Sequence, residues 1–215
     1  MLITCWGAKG GVGTTTVAAA LAVLASGRER TLFVDLAGDA AMALGVAEPD
    51  GPGLDDWLCS ATTDRAALGR LTTEVTPSLR LLPPGRRADP AADLTRLIEV
   101  LGHEPGPVVV DGGLVRTDRD RLVPLLDASD QSVLVTRPCY LALRRAVDLG
   151  VHPTAAVLVA ESGRALRSSD VSRAIDATVV AEVAIDPAVS RAVDAGLAVA
   201  RLPRLLRRSL GSVAP

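Results

Sequence analysis

The sequence predicts an α/β protein with a mostly parallel β-sheet that helices cover on both faces. Short apolar runs with strand character alternate with segments of helical periodicity, an order typical of βαβ units. Hydrophobic residues make up 48% of the chain but aromatic residues only 2%, so small aliphatic side chains must build the core. Such side chains suit helices packed closely on a parallel sheet. With 215 residues and no long linker, we expect one domain spanning 1–215.

The predicted elements begin with a strand and a helix that enclose a glycine-rich turn. The strands are predicted at 2–6, 31–35, 79–82, 107–111, 132–136, 155–160 and 179–184. The helices are predicted at 14–25, 91–101, 119–127, 141–149 and 168–175. Turn clusters at 50–53 and 83–87 are too short to be flexible linkers between domains.

Charge and hydropathy exclude several classes of protein. The formal net charge is −2, which argues against the basic surface that binds nucleic acid through its phosphates, so specific nucleic-acid binding is not expected. No apolar run approaches the roughly 18 residues that a membrane-spanning helix needs. The first residues enter a strand directly, without the basic segment of a secretory signal. We therefore expect a cytoplasmic protein.

The lysine content directs attention to one loop. Lys9 is the only lysine among 23 basic residues, and it lies in the glycine-rich turn between the first strand and the first helix. Several glycines ahead of a helix let backbone N–H groups point inward, and the helix dipole adds positive charge there. The turn is therefore a candidate phosphate-binding loop. Taken alone, however, such a turn is also compatible with a plain tight connection.

The motif around Lys9 resembles a known family. Positions 9–16, which are Lys9, Gly10, Gly11, Val12, Gly13, Thr14, Thr15 and Thr16, match seven of the eight positions of the deviant Walker A motif of the ParA/MinD family. The resemblance continues through a second strand that ends in Asp35 and a Walker B-like strand that ends in Asp111. It covers essentially the whole chain. Within the family, the segment 35–45 is more similar to the CpaE/TadZ-like branch, whose members act in pilus or secretion-system placement, than to the septum-site branch.

This resemblance implies a P-loop NTPase architecture with a site for ATP or ADP and Mg²⁺. It implies that Lys9 reaches phosphates bound by a second subunit of a homodimer, as a catalytic residue. Backbone amides of residues 10–15 would hold the phosphates. The hydroxyl of Thr15 would bind the metal, and Asp111 would hold a metal-bound water. Asp35 would contact the metal site from outside. For both aspartates a second interpretation remains, that the carboxylate only caps the turn after its strand.

The site also departs from the family pattern. Thr14 occupies the place of the P-loop lysine, and Ala37 occupies the place of a second aspartate that positions water. Asp39 is a partial substitute for the latter, whereas Glu161 follows a strand where many family members have an asparagine that contacts adenine. Because a lost charge at such a site slows transfer about a hundred- to a thousandfold, hydrolysis should be slow or absent. An arginine such as Arg137 is one candidate to restore the missing charge.

The last predicted element is a basic amphipathic helix at about 201–210. Its leucines and arginines segregate at helical spacing, which suits packing on the sheet. The family resemblance implies two other roles for such a helix, contact with a membrane surface at the periphery of the inner membrane and non-specific contact with DNA. The pattern spans about two turns and contains no aromatic anchor, so packing is the favoured interpretation.

Three functional hypotheses remain open at this point. The first is an ATP-binding protein that dimerises and places a protein partner within the cell, including at a pilus or secretion system. The second is a nucleotide-independent scaffold, or pseudo-ATPase, that keeps the fold and binds proteins. The third is a metabolic enzyme of the wider P-loop class, such as a dethiobiotin-synthase-like ligase, for which the sequence offers no substrate site. Whether the chain is an enzyme stays undecided.

Overall fold

The computed structural model of the chain describes residues 1–85 and 92–215. One eight-stranded sheet runs through them in the order β3-β4-β2-β5-β1-β6-β7-β8. The strands are β1 (Leu2–Gly7), β2 (Thr31–Asp35), β3 (Thr73–Thr76), β4 (Leu79–Leu82), β5 (Val108–Leu114), β6 (Gln131–Thr136), β7 (Ala155–Ala160) and β8 (Thr178–Ala184). Only β3, at one edge, pairs antiparallel to its neighbour. The predicted mostly parallel sheet is confirmed.

Helices pack on both faces of this sheet, as predicted. They are α1 (Thr14–Ser26), α2 (Ala40–Leu44), α3 (Leu54–Leu58), α4 (Arg65–Arg70), α5 (Thr95–Gly102), α6 (Val123–Ala128), α7 (Tyr140–Leu149), α8 (Ser168–Ile175), α9 (Pro187–Asp194) and α10 (Ala198–Leu210). Within the described ranges, no helix is both long and apolar enough to cross a bilayer.

The sequence located the long elements better than the short ones. It did not predict β3 or the helices α2, α3, α4 and α9, because a segment of four to eight residues often shows too little periodicity to be recognised. The equally short β4 and α8 were predicted. The helix predicted at 119–127 begins instead at Val123, after a structured loop. The helix predicted at 91–101 is observed as Thr95–Gly102, and residue 91 lies outside the described part of the chain.

The core consists of two apolar layers, one on each face of the sheet. Alternate residues of each strand supply the two layers, so that Ile3 belongs to one and Leu2 to the other. On the first face, α1 lies between the sheet and its neighbours, and ten of its 13 residues are buried. Most of those ten are alanine, leucine or valine, which explains how a helix can pack so closely with few aromatic residues in the chain.

The carboxyl-terminal helix α10 packs on α1 and β8. It begins three residues before the predicted position, and its side chains Leu202, Leu206 and Leu210 belong to the first apolar layer. Arg204 and Arg207 are exposed on the opposite side. This is the packing that the sequence favoured. A membrane contact by this helix would therefore have to use the arginines, because the leucines already face the core.

Candidate functional site

The glycine-rich loop connects β1 to α1 at the carboxyl end of the central strand. Gly11 and Gly13 have φ angles of 73° and 100°, which lie in the left-handed region that favours glycine. Gly13 is the N-cap of α1, and its carbonyl accepts the first helical hydrogen bond, from Val17, at 3.0 Å. The next N–H groups have no partner within the helix, so they are available to an anion in front of the loop.

A cleft of about 850 Å³ opens at this loop, a volume typical of small-molecule sites. The loop side of the cleft is lined by Lys9, Gly10, Gly11, Gly13, Thr14, Thr15 and Thr16. The structure thus brings together seven of the eight predicted loop residues. Val12 is the exception, because its side chain is buried in the first apolar layer and anchors the loop. Any contact of Val12 with a ligand would have to come from its backbone.

Asp111 is buried next to Thr15. Burial raises the pKa of its carboxyl from 3.8 to about 6, the Thr15 side chain acts in the opposite direction, and the negative charge of Asp35 raises it further. Its Oδ1 accepts a hydrogen bond from the Gly113 N–H at 3.1 Å, as the turn-capping interpretation predicted. Its Oδ2, however, is buried and has no hydrogen bond of ordinary geometry among the described residues, although the Thr15 side chain is close enough to lower the pKa of the carboxyl. Such an oxygen fits a cation or a metal-bound water.

Asp35 lies opposite Asp111 in the β2–β5 register and is also buried. Its Oδ1 accepts hydrogen bonds from the N–H groups of Ala37 and Gly38, at 3.0 and 2.7 Å. Its Oδ2 accepts one from Ala40 at 2.9 Å. Burial raises the pKa of Asp35, and these hydrogen bonds offset part of that effect. Both oxygens therefore shape the loop that follows β2, which agrees with the turn-capping interpretation and leaves an outer contact to a metal as the remaining role.

Of the residues that depart from the family pattern, Thr14 and Ala37 line the cleft, as does Asp39, whereas Glu161 does not. Thr14 is buried, and its hydroxyl lies so close to Gly7 that a Cβ at residue 7 would be 2.8 Å from Thr14 Oγ1. It therefore points toward the end of β1 and brings no positive charge. Ala37 is exposed on the wall of the cleft. Asp39 lies near enough to both buried aspartates for its charge to raise the pKa of each.

Sequence analysis identified Lys9 but not the three arginines that also line the cleft. Arg116, Arg119 and Arg121 line it together with the glycine-rich loop. The available signal was their density, since three arginines occur within six residues shortly after the strand that contains Asp111. Arg137, the candidate named from the sequence, is not among the residues that line the cleft, and its Nε is buried. In the described ranges, no group of three or more His, Cys, Asp or Glu side chains is arranged to hold a metal by itself.

Comparison with known families and curated proteins gives one match. The family model described as "Cellulose biosynthesis protein BcsQ" matches residues 1–103, which include the glycine-rich loop and Asp35. No curated protein matches the chain significantly. The matched segment ends before Asp111, so the second half of the chain is compared through its structure.

Solved structures of ParA and MinD proteins share the fold over nearly the whole chain. A ParA family ATPase from Chlorobium tepidum TLS is 21% identical and superposes with a TM-score of 0.79, covering 99% of this chain and 98% of its own. The septum site-determining protein MinD complexed with Mg-ADP from Pyrococcus horikoshii OT3 is also 21% identical, with a TM-score of 0.72 and coverages of 99% and 91%. MinD of the MinC:MinD cell division protein complex from Aquifex aeolicus is 18% identical, with a TM-score of 0.73 and coverages of 91% and 86%.

Proposed function

We propose, from the fold that this chain shares with the ParA/MinD-type P-loop ATPases, that it binds ATP or ADP with Mg²⁺ and turns ATP over slowly or not at all. That shared fold confirms the resemblance found in the sequence. The observation that carries the proposal is the buried Oδ2 of Asp111, which has no hydrogen-bond partner in the described part of the chain and lies next to a loop whose backbone can hold an anion. A phosphate chain with its metal ion satisfies both features at once.

Each residue of the site has a role in this proposal. Backbone N–H groups of residues 10–15 bind the phosphates, and the hydroxyl of Thr15 with the carboxylate of Asp111 holds Mg²⁺ or its water. Asp35 supports the metal site from outside by ordering residues 37–40. When bound, Mg²⁺ neutralises negative charge on the phosphates. Every charge-assisted hydrogen bond in such a cradle contributes roughly 1.5–3 kcal/mol.

Slow turnover follows from what the cleft lacks. Thr14 cannot offer the charge of a lysine, and Ala37 cannot hold a water as a carboxylate does. Asp39 is the nearest candidate to replace that carboxylate, since it lines the same cleft. The parts that bind phosphate are therefore more complete than the parts that cleave it.

The cellular role we propose is placement of a protein partner by a nucleotide-dependent homodimer, including at a pilus or secretion system. Lys9 supports the dimer, because it is the only lysine of the chain and lines the mouth of the phosphate site. The MinC:MinD complex shows that a protein of this fold binds a protein partner. The alternative is a scaffold that binds partners without nucleotide, and Thr14 and Ala37 are the observations that favour it.

Calorimetry with Mg·ATP, Mg·ADP and Mg·GTP, light scattering and a phosphate-release assay test the proposal together. We expect binding, a shift from monomer to dimer with ATP, and very little released phosphate. Lys9→Ala should abolish the shift without changing the thermal unfolding of the nucleotide-free protein, whereas Arg191→Ala, exposed on α9, should leave the shift intact. Rapid phosphate release would contradict slow turnover. Absence of binding to all three nucleotides would favour the scaffold.

A further inference from the structure

The loop between β5 and α6, residues 115–122, carries three arginines and is called the arginine loop below. Its first residue is fastened to the phosphate loop, because the Val115 N–H donates to the Gly7 carbonyl at 3.0 Å. The preceding residue, Leu114, lies opposite Gly7 in the β1–β5 register. Arg116 therefore leaves the sheet next to the point at which the phosphate loop begins.

The arginine loop is held in one conformation by its own polar groups. The carboxylate of Asp120 accepts hydrogen bonds from the N–H groups of Arg116 and Leu122, both at 3.2 Å. Val115 and Leu122 are buried in the second apolar layer and fix the two ends of the loop. A loop tied at both ends and across its middle can present side chains without a large loss of entropy on binding.

Arg121 fastens the same loop to α3. Its Nη1 lies 3.2 Å from Oδ1 of Asp55, and the two side chains are only 16% and 6% exposed. Because this ion pair is largely shielded from water, removing one partner would leave a charge in a poorly solvated position. Arg121 is thus a structural support for the loop, and its charge is already matched.

Arg116 and Arg119 differ from Arg121 in both respects. Both are exposed, both line the cleft, and neither makes an ion pair in the parts of the chain that the structure describes. The nearby carboxylate of Asp120 accepts backbone hydrogen bonds at both oxygens. The loop therefore places two exposed arginines on the cleft that the phosphate loop also lines.

The charges around the cleft suggest a role for the guanidinium groups of Arg116 and Arg119. Asp39 lines the cleft, Asp111 is close to Thr15, and Asp35 is paired with Asp111, so that all three repel a phosphate anion when they are ionised. Among the residues of the glycine-rich loop, which the structure describes in full, Lys9 has the only positive side chain, because residue 14 is a threonine. Guanidinium groups bind phosphate oxygens with two parallel hydrogen bonds and stay charged at any physiological pH.

We infer that Arg116 and Arg119 bind the phosphate chain of the nucleotide and supply, from the loop after β5, the positive charge that Thr14 does not. The inference rests on the proposed nucleotide binding and assigns two binding residues to that site. It explains how a cradle without its usual lysine retains a net attraction for a nucleoside triphosphate.

The test is calorimetry of Mg·ATP and Mg·tripolyphosphate with the Arg116→Ala/Arg119→Ala double variant. Binding of both ligands should weaken at least tenfold, and by a similar factor, because the contacts are to phosphate and not to the base. A double variant in which both residues become lysine should retain most of the affinity. The matched control, Arg191→Ala/Arg208→Ala, removes two exposed arginines from α9 and α10 and should leave binding unchanged.

Repeating the measurement in a Thr14→Lys background sharpens the test. If the arginines replace the missing lysine, their removal should weaken Mg·ATP binding less than threefold in that background, since the new lysine meets the same charge. A loss of equal size in both backgrounds would show that the arginines do not replace the missing lysine, which would overturn the inference. Thermal unfolding of the nucleotide-free variants should be unchanged, which separates a binding role from a structural one.

The remaining outcomes separate the inference from the proposed function. If the natural protein binds Mg·ATP and the alanine double variant binds it equally well, the inference is wrong and nucleotide binding stands. If the natural protein binds neither Mg·ATP nor Mg·tripolyphosphate, both are wrong. If only Mg·ATP binding weakens, the arginines contact the nucleoside and not the phosphates, which also contradicts the inference.

Discussion

The phosphate loop and the carboxyl-terminal helix α10 both drew attention in the sequence as binding elements, and they differ in how they affect stability. The loop places glycines in left-handed conformations and lies beside a buried carboxylate with an unpartnered oxygen. Helix α10 instead buries its leucines and exposes its arginines. The comparison teaches that a sequence pattern is credible as a binding site when the fold leaves its polar groups without partners. This holds at the phosphate loop, whereas the apolar face of the helix is already covered by the core.

Approximate energies support this contrast. Burying one leucine side chain stabilises a protein by about 1.5–3 kcal/mol, and α10 buries three of them. Raising the pKa of Asp111 from 3.8 to about 6 corresponds to roughly 3 kcal/mol of destabilisation when the carboxyl is ionised. The helix thus contributes stability, whereas the site reduces it until a ligand binds.

The largest expected effect tests whether the leucines of α10 stabilise the protein. Leu202→Ala should lower the free energy of unfolding by about 2–5 kcal/mol, because it creates a cavity between α10 and the layer formed with α1. Urea unfolding measures the change. Arg204→Ala, exposed on the same helix, is the control and should change stability by less than about 0.5 kcal/mol. A loss under about 1 kcal/mol for Leu202→Ala would mean that the helix is easily detached, which would favour a membrane contact.

A smaller effect of opposite sign is expected at Asp111. In nucleotide-free protein with EDTA at pH 7, Asp111→Asn should raise the free energy of unfolding by about 1–3 kcal/mol, since it removes a buried charge. The same variant should weaken Mg²⁺-dependent binding of ATP. Asp194→Asn, at an exposed position, should change neither property. No gain in stability would show that the carboxylate is already compensated in the free protein.

The stability gain of Asp111→Asn should depend on pH, because the pKa of Asp111 is raised in the folded protein. The folded-state pKa of Asp111 is raised, so stability is greatest below the ordinary value of 3.8 and falls as the pH rises to about 6. The advantage of Asp111→Asn should therefore be small below pH 4 and complete above pH 6. Urea unfolding at several pH values measures it, and a constant difference across this range would contradict the assignment.

The smallest expected effect concerns the backbone of the loop. Gly13→Ala should lower the free energy of unfolding by roughly 1–2 kcal/mol, because alanine is strained at a φ of 100°. The added Cβ itself would fit, since its nearest neighbour is Cγ2 of Val159 at 3.7 Å. Gly10→Ala is the matched control, as its φ is not positive and no atom lies within 4 Å of its Cβ. Equal effects at both positions would show that the left-handed geometry is not the cause.

Local pattern was sufficient for much of the fold and for the loop of the site. The strand before Lys9, the helix after Thr14 and the strands that end in Asp35 and near Asp111 were all predictable, because each is long and apolar or carries a specific motif. The edge strand β3 and the short helices were not predictable, since their residues are held by contacts with the rest of the protein and not by a periodic pattern of their own.

By itself the sequence determined the α/β class, the order of the parallel strands along the chain and the position of the phosphate loop, because these depend on periodicity and on glycines at fixed spacing. Only the tertiary structure decided the rest. It paired Asp35 with Asp111, left one oxygen of Asp111 without a hydrogen-bond partner among the described residues, turned the leucines of α10 into the core and placed Arg116 and Arg119 on the cleft of the phosphate loop. These facts depend on which distant segments of the chain come into contact, because side chains become buried and charged groups come together only at such contacts.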